Sequence, residues 1–129
     1  MQVIVGDINA KNIVFRMRER PTVMIIDCDG MRPMGASSPT QWNSPDWDPP
    51  ENADFQNMQT DLYKLRLFIL RCLTPGRAGS INRDPRFADG KLDPRGLEML
   101  SMSLSEAPRE RPTAKEWHRY LNEVLARRS

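Results

Sequence analysis

The sequence predicts an α+β domain that is mostly helical, with a small β-hairpin region near its start. Three observations carry this. Residues 12–16 (NIVFR) and 22–27 (TVMIID) are β-branched runs joined by the polar segment Met17 to Pro21, the pattern of a hairpin. The stretch LYKLRLFILRCL after Thr60 and Asp61 is apolar around most of its circumference, which marks a helix buried in a core. Thr113 and Glu116 form a capping box. Behind it, Trp117, Tyr120, Leu121, Val124 and Leu125 recur at helical spacing.

The other elements follow in order. Residues 2–5 (QVIV) read as a strand ending at Gly6. Gly30 to Gln59 has no periodicity and is rich in Pro, Ser, Asn, Asp and Trp, as a long functional loop would be. Thr60 or Asp61 is the expected cap of the central helix, which stops at Pro75 and Gly76. Its Lys64, Arg66 and Arg71 must reach a solvent edge or partners. After a loop over 76–93, Asp93 and Pro94 start another helix, with Leu97, Leu100 and Leu104 on one face.

The chain has 129 residues, enough for one domain, 1–129. Apolar residues make up 39% and charged residues 28%, which fits a folded rather than a disordered chain. A net charge of +2 is too small to argue for nucleic acid. No apolar run reaches the length of a membrane span, and the first residues have no signal-peptide pattern. Cys28 and Cys72 sit among apolar residues without metal-ligand spacing, so buried reduced thiols and a cytoplasmic location are expected. His118 falls on the polar side of the last helix. Trp42 and Trp47 are read as packing residues of the long loop, and Asp46, Asp48 and Asp54 as solvated acids.

Two acidic clusters lie at predicted strand ends: Asp7 with Asn12 five residues later, and Asp27-Cys28-Asp29. Phosphoryl transfer needs a carboxylate to orient the attacking hydroxyl and oxygen ligands for magnesium. These residues supply both. In this order they resemble the protein-kinase catalytic loop, D-x-x-x-x-N, and the metal-binding D-F-G. Pro49-Pro50-Glu51 is similar to A-P-E, closing an activation-segment-like loop over 27–51. Thr60-Asp61-Leu62-Tyr63 resembles the start of the buried helix of the kinase C-lobe, and Arg111-Pro112-Thr113-Ala114 resembles R-P-T-A.

The resemblance implies a partial protein-kinase-like domain: the C-lobe of a divergent bacterial serine/threonine kinase, with the N-lobe absent. It implies ATP and Mg2+ as cofactors and a protein as substrate. Asp7 would be the catalytic base, and Asn12 and Asp27 the metal ligands. Glu51 and Arg111 would form a buried ion pair, and Asp61 would hydrogen-bond the catalytic-loop backbone. The departures from the pattern are Val5 and Gly6 for the His-Arg of H-R-D, Asn9 for a lysine, and Cys28 and Asp29 for Phe-Gly of D-F-G. Arg66 stands for a glycine. No Gly-rich loop and no strand lysine precede Asp7. A missing N-lobe or a partner chain would have to supply them, and exposed apolar surface is expected on the helix at 61–73. The alternatives are a pseudokinase or interaction scaffold, and a small-molecule phosphotransferase.

Overall fold

The computed structural model describes residues 2–36, 44–51, 56–74, 76 and 79–129. Trp42, Asp54 and Pro75 lie outside the described residues. The strands are β1 (Val3–Ile4), β2 (Ile13–Arg16), β3 (Thr22–Ile25) and β4 (Arg32–Pro33). The helices are α1 (Met58–Leu73), α2 (Pro94–Ser103) and α3 (Ala114–Arg128). The architecture is α+β, with three helices and two small antiparallel sheets among the described residues.

β2 and β3 form the hairpin, in register from Ile13 opposite Ile25 to Arg16 opposite Thr22. The second sheet has no counterpart in the sequence reading. β1 pairs with β4, Val3 opposite Pro33 and Ile4 opposite Arg32. A two-residue strand containing proline carries no alternating pattern, and proline is tolerated only where a ladder donor can be spared.

α1 starts earlier than Thr60 or Asp61. Asn57 is its N-cap, with Oδ1 accepting from the Gln59 and Thr60 amides at 2.8 and 3.1 Å. Thr60 Oγ1 accepts from the Asn57 amide in return, at 2.9 Å. This reciprocal box satisfies helix-end donors that a cap at Asp61 would have left open. It also releases the Asp61 carboxylate for other partners.

Leu67 and Leu70 of α1 are fully buried. Around them pack Trp47 from the long loop, Leu100 from α2, and Trp117 and Tyr120 from α3. The last two rings meet edge to face, 5.8 Å apart. Trp117 Nε1 donates to Ser103 Oγ at 3.0 Å, so this buried donor is satisfied. Arg66 lies 4.9 Å over the Trp117 ring and is 2% exposed. Its Nε and Nη2 have no hydrogen-bond partner among the described residues, and burial pulls its pKa down to about 10. It therefore stays charged at neutral pH, held chiefly by the ring face.

Two expectations fail here. The exposed apolar surface is not on α1, where Phe68, Ile69 and Leu73 pack partly buried against the core. The largest group lies on the hairpin, with Phe15, Met17 and Val23, and Ile81, Phe87 and Leu125 are exposed elsewhere. All of β3 and all of β2 beyond Ile13 are exposed, because side chains alternate between two faces that both stand clear of the core. The cysteines are not buried either: Cys28 follows this open hairpin and Cys72 lies on the outer side of α1, and both are exposed free thiols.

α2 is capped by Asp93, whose Oδ1 accepts from the Gly96 amide at 2.8 Å and from the Tyr120 hydroxyl at 2.9 Å. One carboxylate thus starts α2 and fastens α3 to it. A Cβ on Gly96 would fall 2.0 Å from the Tyr120 hydroxyl oxygen. Alanine gains about 1 kcal/mol of helix propensity. Overpacking a buried ring costs about 1–3 kcal/mol, so the clash should win. Gly96→Ala is expected to lower the melting temperature; an equal or higher value would show that Tyr120 yields freely.

Candidate active site

The site begins at the turn between β1 and β2. Gly6 has φ +86°, a conformation in which a side chain would be strained. That conformation accounts for glycine at this position. The amides of Val5 and Gly6 both donate to the Asp61 carboxylate, at 2.6 and 2.9 Å. Lys64, one helical turn further along α1, donates from Nζ to the Gly6 carbonyl at 2.8 Å. Asp61 and Lys64 are both buried. Burial pushes the Asp61 carboxyl up and the Lys64 ammonium down, and in each case the charge of the other opposes the shift. The α1 helix therefore grips the turn by both a donor and an acceptor.

This grip presents Asp7. Its Oδ1 accepts from Asn9 Nδ2 and from Ser44 Oγ, both at 2.9 Å. Its Oδ2 accepts from Asn12 Nδ2 at 3.1 Å, and its carbonyl accepts from the same nitrogen at 3.0 Å. Asn9 also caps the short 3-10 turn Ala10–Asn12 by accepting from the Lys11 amide at 2.8 Å. The carboxylate is thus held by three side chains, yet it keeps lone pairs for a further donor.

Asn12 joins the two acidic clusters. Its carbonyl accepts from the Ile26 amide at 2.8 Å, which sets Asp27 directly beyond the last bond of the hairpin. Asp27 is exposed and has φ +55°, a strained conformation for a residue with a side chain. Because Asn12 Nδ2 faces two oxygens of Asp7, Oδ1 is left turned away. It accepts no hydrogen bond among the described residues. An amide oxygen and a carboxylate are ligand types that suit a hard cation, which takes oxygen ligands and retains waters. No group of three or more His, Cys, Asp or Glu able to hold a metal occurs among the described residues, so any cation here would need ligand oxygens from elsewhere.

Glu51 and Arg111 form a bidentate ion pair, with Nη1 to Oε1 at 2.8 Å and Nη2 to Oε2 at 2.7 Å. Arg111 also donates to the Gln59 and Ser105 carbonyls, at 2.9 and 3.1 Å. The pair clamps the end of the long loop onto the start of α1 and the turn before α3.

Comparison with protein-family models finds no match to this chain, and comparison with curated proteins finds none either.

Ser44 is not singled out by the sequence, and Lys64 only as a helix cation that needs a solvent edge or a partner. Ser44 opens a Ser-Pro-Asp-Trp turn, in which proline at the second position is a readable signal. Nothing local says that its hydroxyl meets Asp7. Lys64 follows Asp61 by three residues and shares its helix face, which could have suggested a joint role.

Burial pushes the Glu51 carboxyl up, but the Arg111 hydrogen bonds and charge outweigh it, so the folded pKa lies below the usual 4.5. A depressed carboxylate pKa stabilises the fold above the unfolded value, and this contribution is lost as pH falls through the folded one. Breaking a buried pair costs about 3–5 kcal/mol, and the residual exposure of Glu51 places this one near 3. Glu51→Ala should therefore lower the melting temperature sharply at pH 7. The gap between wild type and Glu51→Gln should close in acid, below about pH 4.5. A gap that persists in acid would mean that the pair is not the source.

Proposed function

We propose that the chain carries the catalytic and metal-binding half of a phosphoryl-transfer site acting on serine or threonine hydroxyls of a protein, as the C-lobe of a protein-kinase-like domain. The observation that supports this best is the linkage Asp7–Asn12–Ile26, which sets a held carboxylate, a free amide oxygen and the Asp27 carboxylate in sequence. The order of the Glu51, Asp61 and Arg111 contacts along the chain supports the same reading.

In this reading Asp7 accepts the hydrogen of the substrate hydroxyl and orients its oxygen. Asn9, Asn12 and Ser44 fix the carboxylate so that little reorganisation is needed when the substrate arrives. Asn12 Oδ1 and Asp27 would hold magnesium, which supplies neutralisation of the charge on the phosphates of ATP. In this reading a further segment or chain clamps the nucleotide. The exposed apolar hairpin favours a second reading, a scaffold that binds a partner without turnover.

Calorimetry with magnesium and ATP separates the two. The proposal expects magnesium-dependent nucleotide binding by the wild type. Binding should fall at least roughly tenfold in Asp27→Asn, because a ligand charge is removed. Nucleotide binding that ignores both magnesium and Asp27, or no binding at all, would leave the scaffold reading.

A further inference from the structure

β3 is exposed at every residue, and no strand among the described residues pairs with its outer edge. The Ile26 amide donates inward, to the Asn12 carbonyl. Backbone groups alternate along a strand, so Met24 and Thr22 also face β2, whereas Val23 and Ile25 turn their amides and carbonyls to the open edge. The Ile25 carbonyl meets the Cys28 thiol at 3.6 Å, a weak donor that leaves a lone pair open. The outer edge of β2 is less open, because Ile13 is partly buried. The side chains of Val23 and Ile25 share a face with Phe15 and Ile13, and all of these are apolar. An open edge of this kind is a template for another strand.

The charges beside β3 name the strand that fits. Before it, the hairpin turn carries Arg18, Glu19 and Arg20; after it come Asp27 and Asp29. All of them are exposed, and none is in an ion pair among the described residues. A strand with net positive charge at its start and negative charge at its end complements a second copy of itself run antiparallel. The register follows as well. Val23 opposite Ile25 matches every outward amide with an outward carbonyl. A shift towards the turn would bring Pro21, which has no amide hydrogen, into the ladder. A shift the other way would bring in Asp27, whose φ of +55° leaves the extended range.

We infer that two copies of this chain associate through β3, antiparallel about a two-fold axis at Met24, to form a sheet of order β2-β3-β3-β2. Val23 of one copy exchanges both backbone hydrogen bonds with Ile25 of the other. Met24 faces its own symmetry mate, and Arg20 reaches the Asp27–Asp29 stretch of the second copy. The apolar face of Phe15, Val23, Ile25 and Ile13 becomes continuous across the pair. The contact is isologous, so it closes at a dimer. The inference does not depend on the phosphoryl-transfer reading.

The interface is small, so a dissociation constant on the order of 10–100 μM is expected. Sedimentation equilibrium of the full chain across that range, with reductant, should show monomer and dimer and nothing larger. Arg20→Glu should weaken association roughly tenfold, and adding Asp29→Lys to the same chain should restore it. Val23→Pro removes an amide hydrogen that faces outward, so the hairpin should persist by circular dichroism while the dimer is lost. Position-specific cross-linking reads the register. With Cys28 and Cys72 replaced by serine, Met24→Cys should form a disulfide-linked dimer, because opposed residues that exchange no hydrogen bonds lie about 4.5 Å apart between Cα atoms. Val23→Cys and Ile25→Cys should not, because each would sit roughly 8 Å from its mate, beyond a disulfide's reach. A monomer throughout the range overturns the inference. Equal cross-linking at the three positions, or a dimer indifferent to Arg20→Glu and Val23→Pro, does so too. A monomer that instead binds vesicles rich in phosphatidylserine would overturn it in favour of a membrane surface for the arginine-rich turn.

Discussion

The buried carboxylate of Asp61 is the point on which the rest of the site depends. Backbone amides in a turn without regular structure must find acceptors or lose free energy. Val5 and Gly6 find theirs on α1, through one side chain. Lys64 on the same face takes up the neighbouring carbonyl, so the turn is tied to the most buried helix of the fold by both signs of backbone dipole. Asp7 follows directly. Its position is therefore inherited from the core around Leu67 and Leu70, not from the short strand that precedes it.

The price is two ionisable groups kept out of water. Each is disfavoured by burial and supported by the other's charge, which makes the arrangement all or none. The Glu51–Arg111 pair plays a parallel part at the far end of the long loop, where a planar guanidinium satisfies two carboxylate oxygens and two carbonyls. The first cluster holds the turn that presents Asp7, and the second holds the Glu51 stretch of the long loop against α1. The turn at Ser44–Trp47 bridges the two, with one residue on Asp7 and another in the core.

Much of the helical part was legible in the sequence because its signals are local. The Thr113–Glu116 box and the Asp93–Pro94 start appear where their spacing put them. The start of α1 was misread because Asn57-x-x-Thr60 competes with Thr60 itself as a cap, and only the backbone decides between them. The β1–β4 pairing was not legible: two residues opposite two, one of them proline, leave no periodic trace. The misplaced apolar surface has a similar cause. Periodicity says which residues are apolar, whereas exposure depends on whether another element lies over them, and none of the described residues covers the hairpin. At the site, spacing singled out Asp7, Asn12 and Asp27. Ser44 lies 37 residues from Asp7, and a hydroxyl in a proline turn does not announce so distant a partner.

Amide hydrogen exchange at Val5 and Gly6 tests the central claim most directly. Asp61→Asn keeps the shape of the side chain but replaces one acceptor oxygen with a donor, so two amides must compete for one partner. Exchange at one or both amides should accelerate towards that of exposed loop amides, while Leu67 and Leu70 in α1 stay protected. Unchanged protection at Val5 and Gly6 would contradict the account, because the turn presenting Asp7 would then be held by something other than Asp61.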